Sequence, residues 1–100
     1  MYCNKSKTKN TFQLEMIDET NNREYKVAVY SPKISVLRRF ENLDDDSSVL
    51  EVTKLIASII SNNSEKIKFS SEIIEDIFSI DDMMDFLDDY FTWVSEVRKN

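Results

Sequence analysis

The sequence predicts an α+β domain in which an N-terminal β-hairpin is followed by about four mostly short helices, with helix dominant. Three observations carry that expectation. Two short stretches alternate apolar and polar residues, most of the remaining chain repeats its apolar residues every three or four positions, and Ser, Asp or Pro stand where those repeats begin. One hundred residues suit one domain with a single core. A chain of this size buries roughly 60–70% of its unfolded surface, enough to fold without staples but not to shape a deep pocket.

Residues 1–10, MYCNKSKTKN, are polar and carry Lys5, Lys7 and Lys9; they read as a flexible basic arm ahead of a domain spanning 11–98. In TFQLEMID (11–18) Phe12, Leu14 and Met16 share one face, and in YKVAVY (25–30) Tyr25, Val27 and Val29 do the same, so both predict half-buried strands. Between them, Asn21 and Asn22 supply the left-handed backbone a tight turn requires. Ser31-Pro32-Lys33 predicts a helix start, with Ser31 as cap and Pro32 at the first helical position. Ile34, Leu37 and Phe40, flanked by Val36 and Leu43, give that helix an apolar side up to about Asn42.

Asp44-Asp45-Asp46-Ser47-Ser48 reads as a linker that also caps a second helix running to about Ser61. Val49, Val52, Leu55, Ile56, Ile59 and Ile60 form its buried stripe. After the polar loop SNNSEKIKF, Ile73, Ile74, Ile77 and Phe78 predict a short third helix started by Ser70 or Ser71. Ser79 or Asp81 caps the last helix, over roughly 81–98.

Composition narrows the chemistry. The chain has no histidine, which removes the commonest general acid/base and metal-binding imidazole, and no glycine, which removes the loops that cradle phosphate. No catalytic, cofactor-binding or metal-ligating residue is therefore expected. The lone Cys3 cannot pair within the chain and lies in a polar segment, which points to a reducing compartment and the cytosol. No apolar stretch reaches the roughly 20 residues of a membrane-spanning helix. Net charge is −6, and since the first ten residues carry +3, the remaining ninety carry −9 and should repel nucleic acid. The acidic pairs Asp44–Asp46, Asp81–Asp82 and Asp88–Asp89 lack the spacing of a calcium loop and read as caps and solubilising charge.

The last helix is richest in information. At 100° per residue, Met83, Leu87, Phe91 and Val94 make one apolar strip and Phe86, Tyr90, Trp93 and Val97 a neighbouring one. Either both are core in a centrally packed helix, or one faces a partner. Tyr and Trp suit interfaces, so the expected protein-binding strip is Phe86, Tyr90, Trp93 and Val97, with Arg38 and Arg39 as charged rim contacts.

The segments EYKVAVYSPKISVLRRFENL (24–43), LIASIISNNSEKIKFSSEIIEDI (55–77) and FLDDYFTWVSEV (86–97), in that order, resemble the tail assembly chaperones of long-tailed phages of Gram-positive bacteria. The likeness spans about residues 11–98 and is one of pattern and order. It implies a non-enzymatic cytoplasmic protein of the bacterial host, absent from the mature virion, that escorts the tape measure protein, helps recruit tail tube protein subunits and self-associates as a homo-oligomer. The family offers no residue-level binding motif; the six residues above rest on chemistry alone. Charge and the lack of a spanning apolar stretch, rather than the resemblance, argue against nucleic-acid and membrane partners.

A different class fits the charge: a small acidic phage-encoded inhibitor of a host nucleic-acid-processing or defence system, imitating phosphate in a basic groove. A carboxylate-only enzyme is disfavoured, because a glycine-free domain of this size has little room for a substrate cleft.

Overall fold

A computed structural model describes residues 2–7, 11–44 and 48–99, with side chains for 11–44 and 48–96. Three strands, β1 (Tyr2–Lys7), β2 (Thr11–Asp18) and β3 (Arg23–Tyr30), precede four helices, α1 (Ile34–Glu41), α2 (Val49–Ile60), α3 (Ser71–Ile77) and α4 (Ile80–Lys99). The chain is an α+β domain, as its patterning predicts. The strands form one antiparallel sheet in the order β1-β2-β3.

The expected hairpin is β2–β3, paired from Thr11↔Tyr30 to Asp18↔Arg23. Asn22 takes a φ of 54°, the left-handed value the turn needs. Asp18 fastens the turn: its two carboxylate oxygens accept from the Asn21 side-chain and backbone N–H groups, at 2.7 and 3.1 Å. Those bonds, the side-chain one first, hold the Asp18 carboxyl below its usual pKa.

One expectation is corrected at the N-terminus. Residues 2–7 are not an arm but the edge strand β1, paired from Tyr2↔Met16 to Lys7↔Phe12 with an irregularity between Asn4 and Ser6. YCNKSK has no apolar alternation because one long neighbour, β2, supplies the hydrogen-bonding edge that defines it. Residues 8–10 lie outside the described residues.

Alternation puts Phe12, Leu14, Met16, Val27 and Val29 on the helix-facing side of the sheet, where all are buried. The opposite edge, β3, is sealed in part by the loop after α2. Tyr30 N–H donates to the Asn62 carbonyl, Ser64 N–H to the Ala28 carbonyl, and Ala28 N–H to Glu65 Oε1, each at 2.9 Å. Buried Asn63 holds that loop, donating to the Ile60 and Ile67 carbonyls and accepting from Ile67 N–H.

The helices begin mostly where the capping residues predict. Ser48 Oγ accepts from Glu51 N–H, and Ser70 Oγ from Ile73 N–H. Ser79 and Asp82 form a reciprocal box, Ser79 Oγ accepting from Asp82 N–H while Asp82 Oδ2 accepts from Ser79 N–H. The first helix differs: α1 starts at Ile34 after Lys33, with no side-chain cap, so Ser31 and Pro32 precede it rather than start it.

Candidate functional site

The three aromatic residues expected to face a partner lie in the core. Phe86 and Tyr90 are fully buried and Trp93 is 2% exposed. Their rings surround Phe12 of the central strand, with centroids 6.0, 5.6 and 5.8 Å away; the first two meet it edge to face. Such contacts add roughly 0.5–1.5 kcal/mol per pair to the burial itself. The Tyr90 hydroxyl donates to the Tyr30 carbonyl at 2.8 Å, and burial raises its phenol pKa far above the ordinary value. The reason is positional: α4 packs on the sheet and also meets α2, where Thr53 Oγ1 lies 3.6 Å from Met83 Sδ. A helix with two walls needs a wide apolar arc, so the described residues of both strips serve the core.

The side chain of Val97 falls outside the described side chains. Arg38 and Arg39 are exposed on α1, and Arg39 Nη1 donates to Ser58 Oγ of α2 at 3.0 Å. The five described residues of the expected six therefore do not form one surface. The link between α1 and α4 is a different pair, Phe40 and Phe91, stacked at 3.9 Å and 18°.

The exposed apolar surface lies elsewhere. Ile80 and Met84 are 60% and 47% exposed, one turn apart at the start of α4, and Val49 and Leu50 are 56% and 48% exposed at the start of α2. Two links fix how these helices lie. Thr53 meets Met83 near their starts, while Asn62 just past α2 and Tyr90 of α4 both bond Tyr30. The helices thus run in the same direction, and the four side chains occupy one end of the helical layer. Exposed Glu51, Asp81 and Asp85 are interspersed with them. Large apolar side chains left exposed at two neighbouring helix starts mark a candidate contact surface.

The sequence offered a weak signal for this patch. Val49, expected in the buried stripe of α2, is instead exposed because it stands in the first turn, beyond the reach of α4, and Met84 stands one position past the buried Met83, so helical spacing alone does not single either out. Among the described residues, no group of three Cys, Asp or Glu is placed to share a metal ion, and no helix is long and apolar enough to cross a membrane. Compared with known proteins, the chain matches no family model, no curated protein and no solved structure.

Proposed function

We propose that this chain is a non-enzymatic binding protein that acts in the bacterial cytoplasm as a phage tail assembly chaperone, escorting the tape measure protein and helping to recruit tail tube subunits. The order of its segments from 24–43 to 86–97 supports the family, by resemblance. The observation that carries the binding role is that Val49, Leu50, Ile80 and Met84, four large apolar side chains at the starts of α2 and α4, are each about half exposed or more while the rest of both helices supplies the core. An amphipathic client helix would cover those side chains, while the surrounding carboxylates keep the complex soluble. Leu50→Ser with Met84→Ser tests this, because neither side chain is core. Co-expressed with the tape measure and tail tube proteins of its phage, the native chain should co-purify with the tape measure protein and the double variant should not, at unchanged circular dichroism. Absence of any complex with the native chain, or equal recovery with the variant, refutes the reading.

One observation favours the inhibitor reading. Asp81, Asp85 and Asp88 are exposed and follow one another at helical spacing along α4, giving carboxylates about 6 and 4.5 Å apart along the axis. Salt separates the two: binding to a basic groove weakens steeply between low and moderate ionic strength, and apolar docking changes little.

A further inference from the structure

We infer that the open stretch of the β3 edge pairs with the same stretch of a second copy of this chain, the two strands running antiparallel about Tyr25. The β2–β3 ladder has no shift in register, so alternate residues of β3 turn their backbone groups away from β2. The loop after α2 shows which ones. Tyr30 N–H meets the Asn62 carbonyl, and the two backbone groups of Ala28 meet Ser64 N–H and Glu65 Oε1, so residues 28 and 30 face outward. By the same alternation Glu24 and Lys26 face outward. Among the described residues, nothing hydrogen-bonds the backbone N–H or C=O of either. On one side the open stretch ends where Glu65 takes the Ala28 N–H, and on the other it ends at Arg23, beside the Asn22 turn.

Unpaired strand groups in a row are completed by another strand. This edge already accepts one: Asn63 of the loop bridges Val29 in antiparallel sense. What the next strand must carry is set by the side chains. Glu24 and Lys26 stand on the solvent face of the sheet, 55% and 71% exposed, with their charged atoms 3.7 Å apart. A lone lysine on an edge opposes pairing. Opposite charges two residues apart act differently, because a copy centred on Tyr25 sets Glu24 against the second chain's lysine and Lys26 against its glutamate. Each of these pairs exchanges both backbone hydrogen bonds and joins opposite charges. A register centred on Glu24 or on Lys26 opposes like charges instead and leaves the other open residue against the turn or the Glu65 seal. The antiparallel register about Tyr25 is therefore the one that uses both open residues of each copy, and it is its own partner, as a twofold contact requires.

The contact is short, so the dimer is of the weak, concentration-dependent class. Sedimentation of the full chain at rising concentration should show monomer and dimer in equilibrium, and amide exchange at Glu24 and Lys26 should slow as the dimer fills. Glu24→Lys and Lys26→Glu each set like charges opposite one another and should weaken the dimer about tenfold. Both side chains are exposed, so circular dichroism should stay native. An equimolar mixture of the two variants restores the opposite-charge pairs and should dimerise as the native chain does. A native chain that stays monomeric overturns the inference, as does a dimer indifferent to either single change, a mixture that fails to associate, or exchange at those amides that ignores concentration. Leu50→Ser with Met84→Ser should leave the dimer intact; its loss would move the contact to the helix starts and refute the β3 edge. The inference does not depend on the client. Capture of the tape measure protein by a chain that never dimerises sinks this inference alone, and dimerisation without capture sinks the proposed function alone.

Discussion

The helices α1 and α4 are both amphipathic by sequence, yet they relate to the core in opposite ways. Helix α4 buries Met83, Phe86, Leu87, Tyr90, Trp93 and Val94, whereas none of the eight residues of α1 is buried. The difference lies in the number of walls. The first half of α4 bridges sheet and α2, so apolar side chains are needed round a wide arc. Helix α1 lies against α2 from outside and reaches α4 through Phe40 and Phe91. Clefts of about 230 and 260 Å³ flank it, one between Val36 and Ile59, the other between Leu43 and Leu55. The breadth of an apolar arc therefore reports how many neighbours a helix has, not how much surface it leaves over for a partner.

If that account is right, truncation should cost far more in α4 than in α1. Trp93→Ala should destabilise by about 3–5 kcal/mol, the range for removing a large buried aromatic. That is a major part of the total stability of a domain this size, so loss of cooperative unfolding in urea is an accepted form of the result. Phe40→Ala removes one half-exposed ring and its stack on Phe91, and should cost about 1–2 kcal/mol. Equal costs for the two changes would break the comparison, because α1 would then be as much a part of the core as α4.

How far the sequence could reveal this arrangement follows from the range of each interaction. Strands β2 and β3, and the starts of α2, α3 and α4, are legible because alternation, Asn22, Ser48, Ser70 and Ser79 act within a few residues. Strand β1 is not, since YCNKSK owes its conformation to pairing with an edge of β2, out to Tyr2↔Met16, rather than to any pattern of its own. Nor is the seal on β3, where Asn62 and Ser64 meet strand residues more than thirty positions earlier. The candidate surfaces were hidden for the same reason. A helical wheel singles out neither Val49 nor Met84, because it gives direction around an axis and not what stands opposite.

A smaller effect sharpens the comparison within α4. Tyr90→Phe keeps the ring and removes the hydroxyl, leaving the Tyr30 carbonyl without that donor, at a cost of about 0.5–1.5 kcal/mol near neutral pH. Burial raises the phenol pKa above its ordinary value of 10.0, so the folded state holds its proton where the unfolded state has lost it. The associated stability is present below pH 10.0 and falls as pH rises beyond it. Urea titrations across that range should show a steeper alkaline loss for the native chain than for the Phe variant. Parallel curves would mean that the hydroxyl is as well solvated as an exposed one.

The smallest effect belongs to Ile34, the most exposed large apolar residue among the described residues at 69% and the first residue of α1. Ser and Ile have similar helix propensity, and a side chain this exposed surrenders little transfer free energy when it is made polar. Ile34→Ser should therefore change stability by less than about 0.5 kcal/mol, read as a urea midpoint shift at constant slope. A larger loss would show that the start of α1 makes contacts its exposure does not suggest, and would draw α1 back towards the behaviour of α4. A near-zero result means that folding sets no requirement for isoleucine there, and that whatever advantage the residue confers lies in contacts beyond its own domain.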